Sequence, residues 1–173
     1  MYRTSVLLSV CVAFFLDSIL FARFNIMGIR PDCLLAVMVS LGILLGPVEG
    51  AIIGCVAGLL FDVLFGRAIG LYAMAHMLAG AAGGLFFKKF YADNLIIPGV
   101  LASIAAFVKE NIMAVSVRLM GGSFGYIRML ITYMVPCALL TGVVCVLAHL
   151  WLKPAVRQQV KKRYERHAGG SMR

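Results

Sequence analysis

The chain has 173 residues, 62% of them hydrophobic and 13% charged, with a mean hydropathy of +0.99, far from the usage of soluble domains. These proportions describe a polytopic membrane protein and exclude a soluble catalytic domain, because six spans of about 20 residues each leave only short loops. The net charge of +9 does not mark a nucleic-acid binder: seven of the sixteen basic residues follow Trp151, without an aromatic stacking series or metal-finger spacing.

Hydropathy and punctuation predict an all-α protein with about six transmembrane helices, at 4–22, 33–46, 48–66, 69–90, 95–118 and 126–152. Residues 1–152 form the transmembrane domain and 153–173 a basic cytoplasmic tail. The opening run from Thr4 to Phe21 is long for a secretory signal and lacks a small-residue cleavage site, so it reads as a retained first helix. It carries Asp17, and Asp32 opens the second segment. That second segment would be about 21 Å long at 1.5 Å per residue, so it either tilts into a thin region or forms a half-crossing hairpin with the third. Gly46, Pro47 and Gly50 in "GPVEG" justify the break, since proline removes a helix donor and glycine weakens a helix interior.

In the third segment small residues recur every fourth position. Gly50, Gly54, Gly58, Asp62 and Gly66 stay on one broad face, because each step of four drifts by only about 40° on a helix. Such a face admits the close approach of another helix, either from the same chain or from a partner. A carboxylate inside a span costs on the order of 2.5 kcal/mol or more unless it faces protein or water and has a partner. Asp62 therefore belongs to the packed face, where it holds the local fold rather than doing chemistry.

The fourth segment carries His76 and ends at "FFKKFY", an aromatic and lysine pair suited to a headgroup interface. The fifth carries Lys109 and Glu110, neighbours that point about 100° apart on a helix and so neutralise each other poorly. Two readings stand for them: each meets a different neighbour, with Lys109 serving an aspartate, or both lie in a hydrated, irregular stretch. With both termini in the cytoplasm, the inside receives ten basic residues and the outside Arg23, Arg30, Arg67, Arg118 and Arg128, as the positive-inside rule asks. Asp17, Asp62, His76 and Glu110 then share the middle or outer half of the bilayer, and with Lys109 they form a predicted polar cluster, or a small cavity that opens outward, between helices one, three, four and five. His76 and His149 read as satisfied packing residues, lacking a second ligand at i+4. Arg23 and Arg67 follow Asp17 and Asp62 in "DSILFAR" and "DVLFGR", an echo short enough to be coincidence.

Beyond the sixth segment, Arg157, Lys161, Lys162 and Arg163 surround an i, i+4 series of apolar residues. This is either a helix lying on anionic lipid headgroups or a solvated tail. The five cysteines sit in apolar runs with no CxxC pair, so neither a disulfide framework nor a metal site is expected. No nucleophile stands at a motif spacing from a base, and there is no P-loop or H-E-x-x-H. No enzyme activity and no cofactor are expected.

Residues 28–80 resemble the MreD family of bacterial rod shape-determining membrane proteins. The resemblance rests on Pro31 and Asp32, the "PD" that opens an apolar helix, on Gly58, Leu59, Leu60 and Asp62 in "GLLxD", and on Gly70 before the next span. It implies a non-enzymatic scaffold in the cytoplasmic (inner) membrane that binds MreC and works with MreB, RodA and its partner transpeptidase in peptidoglycan synthesis. The family is also similar in its six-helix plan to the substrate-binding S components of energy-coupling-factor transporters. That likeness supplies the rival reading, a binder of a small solute for uptake.

Overall fold

In the computed structural model the described residues are 2–23, 29–65, 70–86, 95–122 and 125–170. They form six helices: α1 (Tyr2–Arg23), α2 (Cys33–Leu45), α3 (Pro47–Phe65), α4 (Leu71–Leu85), α5 (Ile96–Leu119) and α6 (126–170). Three stretches are long and apolar enough to cross a membrane, Pro47–Phe65, Ile96–Leu119 and Tyr126–Pro154, and three shorter apolar ones lie in α1, α2 and α4. The fourth helix is shorter than its hydropathy indicates, ending at Leu85. The lysines of "FFKKFY" lie outside the described residues.

The short second segment is the hub of the bundle. Residues 33–42 of α2 are all buried, and α2 packs against each of the other five helices. One side, with Leu34, Val37, Met38 and Leu41, meets Val6 and Ala13 of α1, Ala57 of α3 and Leu152 of α6. The other, with Leu35, Ala36 and Val39, meets Ala79 of α4, Ala102 and Ala106 of α5, and Ala138 and Cys145 of α6. At 13 residues the helix is about 20 Å long, well short of a hydrocarbon core of about 30 Å. Being ringed by protein removes the need to match lipid, because its ends meet side chains and neighbouring backbones instead. A single residue, Gly46 at φ 110°, turns α2 into α3, and Pro47 takes the first helical position, where its missing N–H costs nothing.

The glycine face of α3 is filled from within the chain. A side chain on Gly54 would strike the carbonyl of His76, one on Gly58 would come within 2.6 Å of Ala73 Cα, and one on Gly50 would meet the backbones of Gly80 and Gly42. From the other side, Gly80 abuts Gly50 and Gly84 abuts Pro47. The two backbones thus touch along nearly the whole of α4. The opposite side of α3, with Val48, Ile52, Val56 and Val63, points away from the protein. Gly66 lies outside the described residues.

The last helix begins with one α turn (Tyr126–Met129), widens into a π segment (Leu130–Met134) and continues as an α-helix from Val135 to Gly170. Pro136 and Pro154 lie inside it. As far as Gly170 the basic tail therefore extends α6 without a break in the backbone pattern. The side chains of Arg157, Lys161, Lys162 and Arg163 lie outside the described residues.

Backbone contact of this kind leaves no room for even a methyl group, whereas Gly70, at φ 105°, has nothing within 4 Å of a built Cβ. Gly54→Val should lower stability by roughly 1–3 kcal/mol through overpacking. Gly70→Ala should cost about 1 kcal/mol from backbone strain alone. Thermal unfolding of the purified protein in detergent will rank the two, with Gly54→Val the lower.

Candidate functional site

The site grows from the N-terminus of α2. The first turn of any helix leaves N–H groups without an intrahelical acceptor, and in an apolar body no water supplies one. Pro31 biases the backbone before it away from the helical region, and Asp32 follows in an extended conformation as the N-cap. Its Oδ1 accepts from Leu35 N at 2.7 Å. Two further donors of that turn, Cys33 N and Leu34 N, go to Asp17 Oδ1 and Oδ2 at 2.9 and 2.7 Å. Asp17 reaches them from near the end of α1, so two carboxylates close one helix end.

Asp62 does the same for α4. From one turn inside α3 it accepts Gly70 N at 2.9 Å, Tyr72 N at 3.1 Å and Ala73 N at 2.9 Å. A carboxylate against a helix N-terminus is favoured twice, by the hydrogen bonds and by the helix dipole. The "DSILFAR" and "DVLFGR" echo thus marks two positions with one job: an aspartate near the end of one helix closes the start of the next. Arg23 and Arg67, the other half of the echo, have no described side chains.

Asp32 is also the centre of the ionic contacts. Its Oδ2 lies 2.8 Å from Lys109 Nζ, which in turn lies 2.8 Å from Glu110 Oε1. The expectation that Lys109 and Glu110 neutralise each other poorly is corrected here. The 100° between adjacent residues applies to the Cβ direction, whereas the four-carbon lysine stem carries Nζ back to the carboxylate while still reaching Asp32. Both side chains are buried, and the ammonium also lies 5.5 Å from the centre of the Tyr72 ring. The backbone N–H of Asp32 donates to Thr141 Oγ1 on α6 at 3.0 Å. One N-cap residue therefore joins α2 to α5 and α6.

His76 completes the cluster from α4, with Nδ1 2.8 Å from the Tyr72 carbonyl and Nε2 3.5 Å from Asp32 Oδ1. It is fully buried, and among the described residues Nε2 has no hydrogen-bond partner, which corrects the reading of a satisfied packing histidine. His149 fits that reading, its Nδ1 lying 2.9 Å from Ser40 Oγ.

The structure therefore brings Asp17, Asp32, His76, Lys109 and Glu110 together around the N-terminus of α2, with Lys109 and Glu110 coming from the middle of α5. Asp62 closes the neighbouring helix end with its own set of donors. Next to Asp62 in the chain, Phe61 packs on Phe14 and Tyr72 at ring distances of 5.8 and 4.9 Å. Thr141 and Tyr72 were invisible as site residues in the sequence, since a threonine and a tyrosine in an apolar helix carry no spacing signal. Among the described residues no group of three potential ligands is placed to hold a metal ion.

A family model for the rod shape-determining protein MreD matches residues 1–158, which take in α1 to α5, every residue of the cluster and most of α6. The chain belongs to the MreD family. Membership assigns it a role in rod shape determination and, with the three candidate spans, makes it a membrane protein. No curated protein and no solved structure matches it, and the expected likeness to S components is not shown.

Stability should follow how many donors each substitution strands. Asp62→Asn keeps one acceptor oxygen and Asp62→Ala keeps none, so the loss should rise from Asn to Ala, with about 1–3 kcal/mol for each buried donor left unpaired. Chemical denaturation of the protein in detergent reads that order. Lys109→Met, which strands two buried carboxylates, should cost roughly 3–5 kcal/mol. The double variant Lys109→Met, Glu110→Gln should lose less than Lys109→Met alone in the same measurement, because one of the stranded charges is gone.

Proposed function

We propose that the protein is a non-enzymatic scaffold of the cell-elongation machinery. In this reading it sits in the cytoplasmic membrane with both termini inside, binds MreC, and acts with MreB, RodA and its partner transpeptidase while peptidoglycan is added to the side wall. The observation that carries the reading is the family match, which runs through nearly the whole helical body.

The site chemistry supports it. Asp17 and Asp62 spend their oxygens on backbone N–H groups, and Asp32 divides its own between an N–H and a lysine. Groups so committed make a rigid body rather than a reaction centre. The glycine face of α3 is likewise engaged by α4, so MreC docks on another surface. Residues 153–173 act as a cytoplasmic extension, with Arg157, Lys161, Lys162 and Arg163 against anionic lipid headgroups.

Depletion of the protein in its native bacterium should round the cells and scatter side-wall incorporation of a labelled wall precursor, read by fluorescence microscopy. Cells that keep their outline but come to need an added vitamin or other solute would overturn the scaffold reading in favour of uptake.

A further inference from the structure

The ring of His76 is held between two groups that can only accept. On one side the Tyr72 carbonyl lies 2.8 Å from Nδ1, and on the other the Asp32 carboxylate lies 3.5 Å from Nε2. A neutral imidazole has one N–H and one bare lone pair. If the hydrogen is on Nδ1, the lone pair of Nε2 faces a carboxylate oxygen. If it is on Nε2, the lone pair of Nδ1 faces a carbonyl oxygen at a distance that only a hydrogen bond allows. Water cannot be inserted on the carboxylate side, because two hydrogen bonds of about 2.8 Å through one water would hold the outer atoms about 4.5 Å apart. Nε2 is fully enclosed, and among the described residues no hydrogen-bond partner reaches it.

We propose that His76 is a buried proton-binding site: it carries both ring hydrogens, with the second directed at Asp32. The surrounding charges fit this. Among the described residues Lys109 is the cation shared by the carboxylates of Asp32 and Glu110, and the second proton on His76 adds a positive charge beside that pair. Asp17, from α1, is turned to the α2 N-terminus by two N–H donors, and Asp62, from α3, to the α4 N-terminus by three. Those two charges are met by helix ends rather than by the ring. The phenol of Tyr72, one turn before His76, stacks beside it at 6.0 Å. From α6, Thr141 meets the backbone of Asp32 and brings no charge. The bound proton thereby fastens α4 to the N-cap of the hub helix.

The full-length protein in lipid nanodiscs, labelled with ring-15N histidine, tests this at neutral pH. His76→Gln assigns the signal, and if that variant does not fold, removing His149 and His167 together assigns it by elimination. Two protonated ring nitrogens at position 76 are expected, and in Asp32→Asn one of them should become a bare, pyridine-type nitrogen. A wild-type spectrum with a bare nitrogen at either ring position would overturn the proposal. So would a folded Asp32→Asn protein whose His76 signals are unchanged.

Discussion

Carboxylates that close helix N-termini within an apolar body are the constraint on which the rest of this fold depends. Two of the six helices, α2 and α4, begin where aspartates from other parts of the chain can reach their first turn. Unmet N–H groups there would each cost several kcal/mol in hydrocarbon surroundings. A helix that starts at a bilayer surface has water for those donors and needs no such device. Asp17, Asp32 and Asp62 are therefore what permits short helices, and a short central α2 is what lets five other helices gather around it.

Helix closure and glycine packing are one mechanism on the α3–α4 side. Asp62 reaches Tyr72 N and Ala73 N only because Gly58, one turn earlier on the same face, lets the backbone at Tyr72 and Ala73 come into contact. A larger residue at Gly58 would part the helices and strand the aspartate as well as its donors. The small-residue series and the acid at its end thus form a unit, in which the glycines set the distance and the carboxylate uses it. On the other side of α2 the long side chain of Lys109 does the spanning, so α5 needs no comparable backbone contact to be tied to Asp32.

Much of this was legible in the sequence. The helix positions followed from hydropathy and from Gly46 and Pro47, and Asp62 had to face protein because a carboxylate in lipid is too costly. The aspartates' actual partners were not legible, since backbone N–H groups have no sequence signature and the approach of α1 to the start of α2 is a tertiary fact. The Lys109 and Glu110 pairing was misread because helix geometry fixes Cβ directions, not the ends of flexible stems. His76 was misread for a related reason: the group opposite its Nε2 is 44 positions away in sequence, before α2. The π segment at Leu130–Met134 is followed by Pro136, whose missing N–H leaves the Thr132 carbonyl without its α-helical donor, a cue that hydropathy does not read.

The same commitments decide where a membrane partner can act. A partner helix entering the α3–α4 seam would have to replace contacts in which two backbones already touch, and one approaching the acidic cluster would have to free carboxylates from backbone donors. Both exchanges strand polar groups in apolar surroundings, and neither is repaid by dispersion contacts against a face that lipid tails can cover equally well. The surface left for a partner consists of the outward sides, such as Val48, Ile52, Val56 and Val63 on α3 and Leu139, Val143 and Leu147 on α6, together with the helix ends. For a member of a shape-determining family this is a consistent division of labour, with the polar groups spent on holding six helices in one arrangement and the apolar exterior available for contact.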